Sequence, residues 1–88
     1  MSTTDILEER GKRYGAFIDQ AVICTDLKMD MHVTKNWAAL APDQKEALDM
    51  IANKIGRILN GDPDYEDSWR DIAGYAQLVA DRLIGHAR

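Results

Sequence analysis

The chain has 88 residues, 45% of them hydrophobic and 30% charged, with a formal net charge of −4. A chain this short makes one domain with a thin core, burying only roughly 60–65% of its unfolded surface, and its composition excludes a low-complexity or disordered polymer. The negative charge argues against nucleic acid as the main partner, since affinity there comes largely from neutralised phosphates.

The N-terminus lacks the basic-then-apolar pattern of a secretory leader, and no apolar run approaches the length of about 20 residues that spans a bilayer. A cytoplasmic protein with no membrane contact is therefore expected. Thr3 or Thr4 is placed to cap a short N-terminal turn, residues 4–10, with Asp5 favoured near its start by the helix dipole. Gly11 and Gly15 then bracket Lys12, Arg13 and Tyr14, and their helix penalties predict a bend there. The basic cluster Arg10, Lys12 and Arg13 reads either as a solvated helix end or as a phosphate contact.

The first long helix is predicted over about 16–32. Phe17, Ala21, Cys24, Leu27 and Met31 share one face, Ile18, Val22 and Met29 form a second beside it, and Asp19, Asp26 and Asp30 stand opposite. An apolar arc this wide predicts two neighbours, one of which could be another copy of the chain. Cys24 is the only cysteine, so no internal disulfide forms, and its apolar neighbours mark it as a buried small hydrophobe. His32 and His86 stand alone and read as surface residues, with no metal-ligand spacing.

A linker over 33–41 follows, with Trp37 and Leu40 expected to tuck it onto the core. Pro42 suits the first position of the next helix, predicted over about 42–60. Leu48, Ile51, Ala52, Ile55, Ile58 and Leu59 make its core stripe, and Glu46, Asp49, Asn53, Arg57 and Asn60 its wet face. Gly61 and Pro63 end it. The last helix is predicted over about 65–84, with Tyr65, Trp69, Ile72, Ala76, Val79, Ala80 and Leu83 on one face and Gly85 as the stop. Tyr75 lies at the edge of that stripe. Met50 and Leu78 fall off the stripes and read either as scatter or as part of a contact patch.

The short turn Asn60–Asp64 predicts that the last two of three main helices form an antiparallel helical hairpin in an all-α fold. Counting outward from the turn sets Arg57 level with Asp67 and Lys54 level with Asp71. These four groups have two readings. As interhelical ion pairs they would fix the hairpin's register while adding little net stability, with Ser68 capping the helix or bonding to Lys54. As a ligand site, Arg57 and Lys54 would take a phosphate, and Tyr14, Trp69 and Tyr75 would supply a stacking face. Glu46, Asp49, Asp67 and Asp71 are the acids that two helices could offer to Mg²⁺, although the register sets cations opposite Asp67 and Asp71. No catalytic residue and no metal ligand is assigned.

The run from Asp67 through Ser68, Trp69, Arg70, Asp71, Ile72, Ala73 and Gly74 to Tyr75, with Lys54-Ile55-Gly56-Arg57-Ile58 before it and Arg13-Tyr14-Gly15 near the N-terminus, resembles a family of short uncharacterised proteins encoded mainly by tailed phages and prophages. The resemblance covers roughly residues 5–84. It implies a phage-type accessory protein in the cytoplasm of a bacterial host, and names no activity. More loosely, Tyr14-Gly15, Lys54, Arg57-Ile58, Asp71-Ile72 and Tyr75 are similar to a phage family associated with nucleotide modification, and the hairpin is similar to the all-α NTP pyrophosphohydrolases of the MazG and dUTPase type. Those enzymes bind Mg²⁺ through Glu-x-x-Glu and Glu-x-x-Asp pairs. The nearest matches here are Glu46-x-x-Asp49 and Asp67-x-x-x-Asp71, the second with different spacing and no Glu.

Three functions follow as expectations. The first is a non-enzymatic binding protein without a cofactor, which docks on a host defence or nucleic-acid enzyme as its inhibitor or sequesters a nucleotide-like ligand. Asp19, Asp26, Asp30, Glu46 and Asp49, with Met50 and Leu78, would form its protein interface, the acids imitating a phosphate backbone. The ligand site would comprise Tyr14, Lys54, Arg57, Asp67, Trp69, Asp71 and Tyr75. The second is a divergent Mg²⁺-dependent nucleotide pyrophosphohydrolase. The third is a homo-oligomeric scaffold, a homodimer in its simplest form.

Overall fold

The computed structural model describes residues 2–86. Among them the chain is all-helical: α1 (Thr3–Tyr14), α2 (Phe17–His32), a single 3-10 turn (Trp37–Ala39), α3 (Pro42–Asn60) and α4 (Glu66–Leu83). The N-terminal segment is a helix of 12 residues that runs through Gly11 to Tyr14. Its cap is Ser2, where the expectation named Thr3 or Thr4. The Ser2 hydroxyl accepts the Asp5 N–H at 3.1 Å and the Asp5 carboxylate accepts the Ser2 N–H at 3.2 Å. Two orphan donors are thereby satisfied at once, and together with the Arg13–Glu9 ion pair one turn apart they outweigh the cost of one glycine.

The bend comes at Gly15 alone, whose φ of 77° lies in the region that favours glycine. This corner interlocks with the one between α3 and α4. The Asn60 side-chain amide donates to the Tyr14 and Ala16 carbonyls at 2.8 and 2.9 Å, and the Asp62 N–H donates to the Arg13 carbonyl at 2.8 Å. A side chain at Gly15 would collide with Asn60, and one at Gly61 with the backbone of Arg13 and Tyr14.

Helix α3 is the centre of the molecule, packed against α2 on one side and α4 on the other. On the α2 side Gly56 lets the helices close: Cys24 is buried there, its thiol 3.7 Å from the Ala52 carbonyl, and any Cβ on Gly56 would strike that sulfur. On the α4 side Lys54 meets Asp71 and Asp43 meets Arg82. Of the two pairs expected from the count outward from Asn60–Asp64, Lys54–Asp71 is present.

Two stripes differ from the sequence reading. On α4 the packed side carries Ser68, Ile72, Tyr75, Val79 and Arg82, while Trp69, Ala76, Ala80 and Leu83 are exposed. This is a rotation of roughly 70° from the expected stripe at 100° per residue, and it follows from turning Asp71 and Arg82 towards their α3 partners. On α3 Lys54 is buried, and Leu48 and Leu59 are exposed. Ile18, Val22 and Met29 of α2 also stay uncovered. The core proper consists of Cys24, Ala47 and Ala52, and no large side chain among the described residues is completely buried. The Cα radius of gyration is 14.8 Å, with extents of 41 × 29 × 23 Å. No described helix is long and apolar enough to cross a membrane.

Candidate functional site

The charged groups anticipated on α3 and α4 divide into a seam and a cleft. The seam holds Lys54 and Asp71, Nζ to Oδ2 3.1 Å, with the lysine side chain 9% exposed and the aspartate 49%. Asp71 thus offers a buried cation its counter-charge while keeping half its own surface in water, the arrangement that costs least desolvation for a lysine in this position. Ser68 is buried at the third position of α4; it does not cap the helix, and the Lys54 ammonium meets Asp71 instead. A second tie, which the sequence reading missed, joins Arg82 to Asp43 by a two-pronged fork of 2.8 and 2.7 Å. The Arg82 hydrogen bonds hold the Asp43 carboxyl below its ordinary 3.8, and the same bonds raise the guanidinium. Its signal was present only as an acid in the first turn of one helix and a cation in the last turn of the next.

Arg57 and Asp67 do not pair. Asp67 accepts the Tyr65 hydroxyl at 3.0 Å, which pushes that phenol's pKa up. Arg57 turns to α1, its guanidinium carbon 4.5 Å from the centre of the Tyr14 ring, with Arg10 at 5.7 Å from the same ring. The second tyrosine extends the array: Tyr65 lies 6.1 Å from Tyr14, tilted by 59°, with Arg13 4.4 Å from its centre. Cations on the faces of aromatic rings are attracted by the ring quadrupole, so these tyrosines hold three arginines at one corner. The Arg57 Nε is shut off from solvent and has no hydrogen-bond partner, and Arg10 and Arg57 make no ion pair among the described residues. The cleft they flank, about 320 Å³ between α1, α2 and α3, is lined by Leu7, Tyr14, Phe17 and Gln20 as well.

Trp69 and Tyr75 are not part of this cleft. The Trp69 indole donates to the Pro63 carbonyl at 2.8 Å and the ring stays half exposed. Tyr75 lies between two other hollows, of about 310 Å³ beside Asp43, Glu46 and Arg82, and about 400 Å³ beside Arg70, Asp71 and Leu78. Of the seven expected ligand residues, the cleft therefore gathers Tyr14 and Arg57. Phe17 and Arg10, which the sequence reading had placed in the core and in a basic helix end, complete it. No periodicity announces that grouping, because the Gly15 corner decides it.

The acids are dispersed. Asp49 faces α2, where it meets the His32 ring at 2.7 Å, and Trp37 stacks on that ring at 4.2 Å. Trp37 thus stacks on an exposed ring at the end of α2, where the expectation put it on the core. Asp71, on α4, meets Lys54 on the side of α3 opposite to Asp49. Asp19, Asp26 and Asp30 are exposed along α2, and Met50 is half-buried beside Asn53. Among the described residues no group of three or more His, Cys, Asp or Glu side chains is close enough to hold a metal ion.

No known protein family, curated protein or solved structure matches the chain.

Proposed function

We propose that this chain is a small phage-type accessory protein that works by binding, and that its ligand is a nucleotide-like phosphate ester taken up in the Arg10–Tyr14–Arg57 cleft, in the cytoplasm of a bacterial host. The observation that carries the reading is Arg57: a guanidinium oriented by an aromatic ring, with no carboxylate beside it and a buried N–H that still lacks an acceptor. A buried donor left unpaired costs about 1–3 kcal/mol, which a phosphate oxygen would recover when Tyr14 moves off the guanidinium and uncovers it. Planar guanidinium groups bind phosphate in two-pronged fashion, and Phe17, at 78% exposed on the rim, offers a free ring face for a base. The volume is at the lower end of the 300–1,000 Å³ typical of small-molecule sites, which suits a nucleoside phosphate. The rigid support is the antiparallel hairpin of α3 and α4, locked in register by Lys54–Asp71 and Asp43–Arg82.

The protein-docking reading is favoured by one observation of its own, the row of Asp19, Asp26 and Asp30 exposed along α2. For hydrolysis, the dispersal of Asp49 and Asp71 to opposite sides of α3 speaks against a shared Mg²⁺ within one chain.

The test is the melting temperature against nucleoside triphosphates, monophosphates and cyclic nucleotides, with and without Mg²⁺. A ligand at about 100 times its Kd adds roughly 2.7 kcal/mol, and each kcal/mol moves the midpoint of a domain this size by roughly 4–8 °C. A selective shift that disappears in Arg57→Ala and shrinks in Arg10→Ala is the expected result. A flat panel, or a shift untouched by Arg57→Ala, sinks the proposal.

A further inference from the structure

The stripes that the sequence marks as core on α3 and α4 are left half open. Helix α3 meets α2 through Ala52 and Gly56 and meets α4 through Asp43, Ala47 and Lys54. The arc between those two contacts carries Leu48, Ile55 and Leu59. On α4 the arc adjoining its packed side carries Trp69, Ala76 and Leu83. With Lys54 opposite Asp71 and Asp43 opposite Arg82, both arcs fall on the same side of the layer that α3 and α4 make. Leu59 is 68% exposed, Trp69 55% and Leu83 58%. The other side of α3 carries Glu46 and Arg57, so the layer has one polar and one apolar face.

We infer that this apolar face is covered by a second copy of the chain. The exposed area of the whole chain, α1 and α2 included, leaves room for it. A folded monomer of 9.9 kDa is expected to expose about 5,200 Å², whereas this chain exposes 6224 Å². The difference, about 1,000 Å², slightly exceeds the roughly 800 Å² that each partner contributes to a standard interface. The radius of gyration agrees: 14.8 Å against about 12 Å for a compact chain of this length. A two-fold dimer presents the same patch from both sides, so leucines and a tryptophan at helical spacing meet their like. A membrane surface is the poorer occupant, because interfacial helices surround their apolar face with Lys and Arg, and this chain carries a net charge of −4 with Asp19, Asp26 and Asp30 exposed on the neighbouring helix. The inference is independent of the ligand proposal, since it concerns the opposite side of α3 from Arg57.

Sedimentation equilibrium of the full chain, from micromolar to millimolar, tests it without any ligand. The expected mass is twice that of one chain. Leu59→Glu should weaken the association by at least about tenfold while far-UV circular dichroism keeps its helical signal, because the residue is already mostly exposed; Leu83→Glu serves as the second variant at the other end of the face. Val22→Glu and Met29→Glu, on the uncovered stripe of α2, should leave the mass unchanged. A single-chain mass throughout the concentration range overturns the inference. So does a dimer that survives both leucine variants but dissolves on changing Val22 or Met29.

Discussion

At the scale of single residues, Lys54 and Arg57 show how the same chemistry acquires opposite roles from its neighbours. Lys54 has its counter-charge in Asp71. Asp71→Ala should destabilise the fold by roughly 1–3 kcal/mol, below the full cost of stranding a buried charge because Asp71 is half in water. Lys54→Met, which removes the charge and keeps the volume, should recover most of that loss in the Asp71→Ala background and leave the double variant close to the original stability; urea unfolding of the single and double variants measures both. Arg57 has no carboxylate, so Arg57→Ala should harm ligand binding more than stability. The Asp43–Arg82 pair gives a pH signature. The Asp43 carboxyl titrates below its ordinary 3.8 when folded, so the unfolded state binds protons first as pH falls. The pair's contribution is present above the ordinary value and is lost as pH drops through the lower, folded one. Asp43→Asn should therefore flatten the acid limb of the stability curve below about pH 4 and leave its slope above pH 6 unchanged. An unaltered acid limb would show that the pair contributes nothing to folding.

At the scale of the helices, counting outward from a short turn made Lys54–Asp71 legible in the sequence, though the same count also set Arg57 level with Asp67, which do not pair; Pro42, Gly61 and the burial of Cys24 were legible too. The α4 stripe was not, because periodicity ranks residues by hydrophobicity alone. It placed Trp69 and Leu83 inward, where the structure turns Ser68, Tyr75 and Arg82. Two polar ties to α3 fix the rotation of α4, and the energy of such ties does not register in an apolar pattern. The length of α1 was illegible for a related reason: the reciprocal Ser2–Asp5 cap and the Asn60 contacts stabilise a helix whose glycine argues for a break. Gly56, which the sequence presents as an ordinary helix glycine, is where α2 and α3 close on each other. Gly56→Ala should cost about 1–3 kcal/mol through overpacking against the Cys24 sulfur. Cys24→Ala should relieve part of that cost in the double variant, and a thermodynamic cycle in which the two changes simply add would contradict the contact.

For the molecule as a whole, the all-helical class could be read from periodicity and turn residues, whereas the extent of the core could not. A stripe such as Leu48, Ile55 and Leu59 says that a face wants burial and is silent on what buries it. Among the described residues the buried apolar side chains are the small ones, Cys24, Ala47 and Ala52, while the large apolar ones stay part-covered or exposed. If a second copy completes the core, folding and association are one equilibrium, so the melting midpoint should rise with protein concentration. A midpoint constant over a hundredfold range of about 1–100 µM would separate the two processes.

The clasp at the Gly15 corner bears on how the cleft is reached. Helix α1 has no buried residue, and 12 residues make a marginal helix in isolation. Its amides should thus exchange with solvent far sooner than those of α3, through openings that release Asn60 from the Tyr14 and Ala16 carbonyls. Each such opening also lifts Tyr14 off Arg57. A ligand gripping both Arg10 and Arg57 bridges the loosest helix to the most firmly held one, and its arrival should be recorded as slowed hydrogen exchange along α1, in residues that never touch it.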